Sequence, residues 1–494
     1  MVRTPEVRTS VTPWPLRLGV AGTVVLALAS FGGGATRHRG GVLEALGLSF
    51  FSFGHGRNLS ILGFWTGVFL LVAAWVGVGK YLVAPVLAKR NIPDAFSRLR
   101  TTVWVWVAPL LLAGPIASRD VYSYLMQGAM VRDGFDPYTQ GAAVNPGPFL
   151  LEVSQDWRNT TTPYGPLHLL TGNMVTSVVG DNVTAGIVVY KLLSVAGFLA
   201  ISWAVPRIAT ALGGNPVVAL WLGVANPVMI IHLVGGMHNE SIMVALVSLG
   251  LLAALRGGRG SMAGGVGLIA LAVSLKATAF LAMPFVLWLF INRATQPAKK
   301  FAAFLAGGVV IVAETALVLA AVTALSGVSW GWLTEISGNS KVINPLAGPT
   351  LLTDFLTPLL QLFDPEVTYN GVLSAARTAG MICMLVGLVV VWWLARGGRR
   401  QAIFGTVAAY QVAFAFNSVT LPWYFASSIS LVGTPTPPRW LLKLATGGSV
   451  VVALAFAGDG NHQLYNWWWM LATAAGAWWA AGWIFDPQAT KARA

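Results

Sequence analysis

Three groups of residues in this chain place polar chemistry where apolar side chains would cost less. Asp120 stands in Ser118-Arg119-Asp120-Val121-Tyr122-Ser123-Tyr124, directly after a long apolar run. A carboxylate at the mouth of a membrane span is expensive and is a functional candidate for that reason. The plainer reading makes it a helix N-cap paired with Arg119. Lys276 interrupts the apolar stretch Val273-Ser274-Leu275-Lys276-Ala277-Thr278-Ala279. Its distance from either end of that stretch disfavours simple snorkelling to the surface. His238, Asn239 and Glu240 follow Gly235-Gly236-Met237 and form a cluster able to bind hydroxyls, assist an anion or cap the next helix. No second histidine stands at ligand spacing from His238, so no metal site is expected.

The elements that must carry these residues are membrane helices. The chain has 494 residues, of which 56% are hydrophobic and 10% charged. Soluble domains carry about 25% charged residues. Apolar runs recur at 16–31, 59–79, 301–325, 381–394 and 467–484, each approaching or reaching the length needed to cross about 30 Å of hydrocarbon. The expected fold is an all-α polytopic bundle, one module over residues 1–494, with about 12 to 15 membrane segments including short and re-entrant helices. A net charge of +14 would suggest nucleic acid in a soluble chain. Here the basic residues lie in short loops and form no stripe, so no nucleic-acid partner is expected. The lone Cys383 lies in an apolar run and can form no intramolecular disulfide. The basic segment before residue 17 leads into a long span without a small-residue cleavage site, which reads as an anchor.

Basic loops belong on the cytoplasmic side. Placing 3–17, 80–100, 256–259, 293–300, 396–400, 439–443 and 491–493 there leaves 118–165, 180–183, 235–240, the Lys276 turn, 326–349, 417–422 and 459–462 outside. The unusual polar residues gather in that outer set. The arrangement requires hairpins turning near Lys276 and Asn417, and segments at 165–180 and 350–363 that dip in and return. Arg37, Arg39 and Arg57 fall outside against the rule. Within the large outer loop 118–165, helical spacing of Val121, Tyr124, Leu125 and Gly128 predicts an amphipathic interfacial helix over 122–132. Asp133 and Asp136 read as turn residues. Tyr122, Tyr124, Tyr164, Trp332, Trp423 and Tyr424 offer rings that suit sugar C–H faces, although membrane belts use the same residue types.

Asp-Val-Tyr-x-Tyr at 120–124, followed by Gly134-Phe135-Asp136-Pro137-Tyr138, resembles the first large outer loop of the GT-C superfamily of polytopic glycosyltransferases. Thr162-Pro163-Tyr164-Gly165-Pro166, Asn226-Pro227 with Gly235–Glu240, and the Lys276 stretch are similar to one branch of it. So are Gly331-Trp332 with Lys341-Val342-Ile343-Asn344, and Leu421-Pro422-Trp423-Tyr424. That branch is the mycobacterial and corynebacterial α-(1→6)-mannopyranosyltransferases, and the motifs run in order from about residue 53 to about residue 469.

The resemblance implies a donor, polyprenyl-phosphate-mannose, and a lipid-anchored mannan acceptor, joined in an inverting displacement outside the bacterial cytoplasmic membrane. It implies Asp120 as general base, a role worth about 10²–10⁴-fold. The donor's phosphate already is a good leaving group, so no acid catalyst is required. Lys276 is the first candidate for binding that phosphate, with Arg119 and Lys341 behind it. Tyr122, Tyr124, Tyr164, His238, Asn239, Glu240, Trp332, Trp423 and Tyr424 are candidates for holding sugar, and His462 in the 459–462 turn is a weaker one. No cofactor beyond the lipid-linked co-substrate and no divalent metal is called for. Competing readings are a lipid-linked sugar transporter or flippase, a transferase for another polyprenyl-phosphate sugar, and a scaffold. Absence of an internal repeat and the one-sided polar set speak against transport.

Overall fold

The computed structural model describes residues 14–338 and 342–486, and Lys341 and the extreme termini lie outside the described residues. Helices follow one another as α1 (Trp14–Gly33), α2 (Gly54–Val78), α3 (Ala95–Val107), α4 (Asp120–Arg132), α5 (Pro166–Val179) and α6 (Val183–Ala211). Next come α7 (Pro216–Gly223), a π-helical turn (Met229–Gly235), α8 (Glu240–Arg256), α9 (Arg259–Leu275) and α10 (Met283–Ile291). The chain closes with α11 (Pro297–Ser326), α12 (Gly348–Gln361), α13 (Tyr369–Leu394), α14 (Arg399–Phe416), α15 (Ala426–Val432), α16 (Arg439–Ala453) and α17 (Trp467–Phe485). Among the described residues the one extended pairing is a bridge between Phe456 and His462.

Five of the described helices are long and apolar enough to cross a membrane, and the broken pair Met229–Gly235 with Glu240–Arg256, bent by 114°, makes a sixth. The expected 12 to 15 segments therefore include many pieces too short to span. Helices α5 and α12 have 14 residues each, about 21 Å at 1.5 Å per residue. They fall on the segments expected to dip and return, and each is a single helix too short to cross about 30 Å of hydrocarbon. The expected break at Lys276 is also present, where α9 ends and a 3₁₀ turn over Ala277–Ala282 begins.

The outside of the bundle is apolar. Only 22% of the apolar stretch in Pro297–Ser326 and 11% of that in Tyr369–Gly397 is buried. Phe301, Val309, Leu317, Leu385, Val389 and Leu394 point away from the protein. Two long helices with greasy outer faces are stable in lipid and unstable in water. The chain is a multi-pass membrane protein.

Helices inside lipid gain little from the hydrophobic effect against one another, so close backbone packing through small residues holds them together. Helices α1 and α2 meet at Gly22 and Gly67: a Cβ on Gly22 would lie 2.9 Å from the Gly67 carbonyl oxygen. Helices α4 and α5 meet at Gly128 and Gly172, where a Cβ on Gly128 would lie 2.3 Å from the Gly172 carbonyl. That contact corrects the expectation of an interfacial helix. Helix α4 does form, but Val121, Tyr122, Ser123, Tyr124, Leu125, Met126, Gly128, Ala129 and Met130 are all buried. It is a core helix, enclosed by α5, α6 and the Pro148–Glu152 turn.

Replacing Gly128 with Val should lower stability by about 1–3 kcal/mol through overpacking against backbone that cannot move aside. Thermal unfolding of the detergent-solubilised protein, compared with Gly134→Val in an open turn, checks this. A side chain added at Gly134 meets nothing within 4 Å, although its φ of +87° adds backbone strain.

Candidate active site

Asp120 opens α4, and the backbone leading to it is strained. Ala117 has φ +62°, a left-handed conformation uncommon for a residue with a Cβ. Such strain persists where surroundings hold it, and it gathers at functional sites. The Ala117 N–H donates to the Gly458 carbonyl at 2.7 Å, and the Ile116 N–H donates to the Gly235 carbonyl at 3.4 Å. The approach to Asp120 is thereby pinned between the turn before α17 and the break before α8. The Asp120 N–H donates to Ser118 Oγ at 3.0 Å. Carboxylate oxygen Oδ2 accepts from the Tyr124 hydroxyl at 3.4 Å and lies 3.4 Å from His238 Nδ1. Burial by itself would raise the Asp120 carboxyl. Contacts with His238, then Ser118 and Lys276, outweigh burial and hold it below its ordinary value.

The N-cap pair between Arg119 and Asp120 does not form. Arg119 turns away and donates to the Glu152 carbonyl and carboxylate and to the Thr36 carbonyl. Its guanidinium also lies 4.8 Å from the Tyr122 ring centre. Tyr122, fully buried, donates to the Ala35 carbonyl at 2.7 Å. Both side chains tie the 34–39 loop to the start of α4, and neither faces the Asp120 carboxylate.

The second wall is the broken helix. Asn226 accepts the Val228 N–H at 3.0 Å just ahead of the π-helical turn. Buried Lys191, on the third turn of α6, donates to the carbonyl oxygens of Val234 at 2.8 Å and Gly235 at 3.4 Å. It satisfies carbonyls that the interruption leaves without helical partners. Met237 then takes φ +55° and delivers His238, Asn239 and Glu240 into the interior. The His238 ring stacks on Trp423, centroids 3.8 Å apart and planes 18° from parallel. His238 Nδ1 faces Asp120 Oδ2, while His238 Nε2, Asn239 Oδ1 and Glu240 Oε2 complete no hydrogen bond. Buried polar atoms left open in this way are rare, and together they describe a place for a polar ligand.

Lys276 comes from the third wall and forms a buried ion pair with Glu240. Its ammonium also lies 4.1 Å from the Tyr424 ring centre and 5.4 Å from that of Tyr164. Gly165 explains the neighbouring motif. Its N–H donates to the Leu275 carbonyl at 3.1 Å, and a Cβ there would sit 2.3 Å from the Ser274 carbonyl oxygen. Only glycine lets the Tyr164 bend lie against the Lys276 turn. Tyr124 and Tyr164 meet edge to face at 5.6 Å.

The structure therefore brings together Asp120, Tyr124, Tyr164, His238, Asn239, Glu240, Lys276, Trp423 and Tyr424. Trp332 is buried with its indole N–H unpartnered, and Gly331 beside it packs against Tyr138. Tyr138 reaches the site indirectly, donating to the Tyr164 carbonyl at 3.0 Å. Three participants escaped sequence reasoning. His168 bonds Gln127 at 2.9 Å, approaches Asn239 at 3.4 Å and packs 4.5 Å from Tyr164. His232 faces both His238 and Trp423 with centroids 5.9 Å away. Lys191 is the third. Each is a buried polar residue, Lys191 on α6, His168 on α5 among further polar residues, and His232 in the π-helical turn.

Residues 16–292 match the family described as alpha-(1->6)-mannopyranosyltransferase, N-terminal domain, and residues 349–485 match the MptB C-terminal domain. The alpha-(1->6)-mannopyranosyltransferase A of Corynebacterium glutamicum is 55% identical over 475 residues, covering 94% of this chain and 96% of that protein. That of Mycobacterium tuberculosis is 37% identical over 471 residues, covering 94% and 89%. The alpha-(1->6)-mannopyranosyltransferase B of Corynebacterium glutamicum is 28% identical over 448 residues, covering 84% and 72%.

Lys276→Met alone should destabilise the fold by about 3–5 kcal/mol, because it leaves the Glu240 charge buried without its partner. The double variant Lys276→Met with Glu240→Leu should recover most of that loss. Unfolding curves of the two single variants and the double variant in detergent measure the coupling. Additive losses would show that the pair does not hold α8 against the Lys276 turn.

Proposed function

Because the chain belongs to the α-(1→6)-mannopyranosyltransferase family, we propose that it transfers mannose from polyprenyl-phosphate-mannose to the 6-hydroxyl of a lipid-anchored mannan. The product is the α-(1→6) backbone of lipomannan and lipoarabinomannan. On this reading the active site faces outward from the bacterial cytoplasmic membrane. The observation that carries the proposal is the convergence of an ionised carboxylate, a stacked imidazole and a paired lysine inside a bundle whose outer helices are lipid-exposed.

The reaction is a single displacement. Asp120 takes the proton of the acceptor 6-hydroxyl while that oxygen attacks the donor's anomeric carbon. The new C–O bond forms as the bond from the anomeric carbon to the phosphate oxygen breaks, and the phosphate leaves with the electron pair. A β-linked donor gives an α-linked product. One base within hydrogen-bond reach suffices, without the two-carboxylate spacing that glycoside hydrolysis needs. His238 orients the Asp120 carboxylate through Oδ2, and Trp423 holds the imidazole flat against it. Lys276 supplies positive charge for the departing phosphate. Arg119, turned onto Glu152, supports that role only by fixing the loop, and Lys341 lies outside the described residues. Tyr124, Tyr164, Trp423 and Tyr424 line the sugar site, and membrane lipids surround the donor's tail.

Membranes containing the protein, given radiolabelled polyprenyl-phosphomannose and a short α-mannoside, should yield α-(1→6)-linked product. Asp120→Asn should lose about 10²–10⁴-fold in rate, and full transfer by that variant would overturn the base assignment. Movement of intact donor across the bilayer without product would favour a flippase.

The pH profile follows from the charge of Asp120. A base must be ionised to accept the proton, so the rate falls as pH drops through the folded-state pKa. Since that value is held below the ordinary one, the acid limb of kcat/KM should lie below the usual carboxylate range. His238→Asn removes the largest lowering contact, so the limb should move to higher pH. An unmoved limb would detach His238 from the base.

A further inference from the structure

A second polar cluster lies in the C-terminal half of the chain, built on residues that the transfer step does not use. Asp354 on α12 accepts the Tyr369 hydroxyl at 2.8 Å, joining α12 to the first residue of α13. The Tyr465 hydroxyl approaches the same carboxylate, and the Tyr465 ring packs edge-on against His462 at 5.0 Å. Arg377, about two turns further along α13, donates to the Val342 carbonyl at 2.8 Å. Asp354 Oδ2 and His462 Nδ1 are buried, yet neither completes a hydrogen bond of normal geometry. Buried polar atoms of this kind call for a partner, and Tyr465, 57% exposed, leaves the cluster open to a ligand.

This cluster is wired to the catalytic loop. His462 pairs with Phe456 across a short bridge, and the Ala457 N–H donates to the Asn461 carbonyl at 2.8 Å, closing a turn. The Gly458 carbonyl of that turn accepts the Ala117 N–H at 2.7 Å, three residues before Asp120. At Gly460 a Cβ would lie 3.2 Å from Ser118 Cα. Phe456 in turn meets Trp423, ring centres 6.5 Å apart. A ligand seated on Asp354 and His462 would therefore border the site where the hydroxyl is deprotonated.

The chemistry favours a neutral polyol. A carboxylate with an open oxygen accepts hydroxyl protons, phenol and imidazole groups both donate and accept, and exposed aromatic rings stack on sugar C–H faces. A phosphate would meet the Asp354 charge. Arg377 donates to the Val342 carbonyl, and the buried ammonium of Lys276 borders Tyr164 and Tyr424 instead. Resting on the transferase reading above, we infer that Asp354, Tyr369, His462 and Tyr465 form a subsite for the growing mannan, holding a mannose unit behind the one that accepts.

Acceptor-length kinetics on the full-length protein in membranes test this, using an α-(1→6)-mannobiose and an α-(1→6)-mannotetraose glycoside with polyprenyl-phosphomannose. For Asp354→Asn and Tyr369→Phe, KM for the tetrasaccharide should rise about tenfold, the size of one lost charge-assisted hydrogen bond. KM for the disaccharide and for the donor should stay unchanged. Tyr369→Phe keeps the ring and carries the test if Asp354→Asn fails to fold. Quenching of tryptophan fluorescence by the tetrasaccharide should weaken in the same variants. Equal losses on both acceptors, or a raised donor KM, would overturn the subsite. So would a wild-type protein that does not prefer the longer acceptor. A wild-type protein that mannosylates neither acceptor would instead overturn the transferase reading.

Discussion

The break between the π-helical turn and α8 is the constraint on which the site depends. A helix stopped inside an apolar bundle exposes carbonyl groups that lipid cannot satisfy. Here the Lys191 ammonium and the Ile116 N–H meet those carbonyls. The 114° bend is thereby affordable, and it turns His238, Asn239 and Glu240 away from lipid and into the protein. Without Lys191 the same backbone would either straighten or carry unpaired oxygens in the core. A lysine that touches no ligand thus decides where three candidate ligand residues point.

Other contacts extend this logic outward. Ile116, Ala117 and Ser118 lie between the helix break and the turn at 456–462, so the segment before Asp120 has little freedom. Gly165 against Ser274 and Leu275 performs the same service for Tyr164 and Lys276. Residues as far apart in sequence as Ala117 and Gly458 meet at one place because small residues let backbones touch. The polar side chains then inherit their geometry from backbone contacts, a more rigid support than long flexible side chains would give.

Much of this was legible in the sequence, and what was not has identifiable causes. Apolar periodicity and length exposed the all-helical membrane class, the apolar span of α1 and the break at Lys276. Asp120, Lys276 and the 238–240 cluster stood out because polar residues in apolar surroundings are costly. The same rule applied to Lys191, His168 and His232 but was masked: His168 and Lys191 share their helices with other polar residues, so the sequence does not show which of them is buried. The state of α4 was misread because one amphipathic face at helical spacing does not reveal what covers the opposite face. Gly128 held that information, since its meaning depends on Gly172 across the contact. Arg119 beside Asp120 suggested a local pair, but Glu152, buried at the far end of the same loop, competes for it and accepts from His38 and Arg39 as well. Pairings of that kind are set by tertiary approach and carry no sequence spacing.

Charge balance connects the site to the proposed chemistry. Asp120 and Glu240 bring two negative charges, and Lys276 brings one positive charge already engaged by Glu240. A phosphate arriving beside that set would add further negative charge, which favours its departure more than its retention. Tyr164 and Tyr424, stacked beside the ammonium, keep it from hydration without neutralising it, so it remains available to a leaving group. When Asp120 takes a proton, one of the two carboxylate charges disappears at the moment the phosphate gains its own. Negative charge then passes from carboxylate to phosphate across the reacting atoms, and the total within the pocket stays constant. A buried site tolerates such a transfer far better than the creation of new charge, which is the electrostatic ground on which the proposed chemistry fits this cluster.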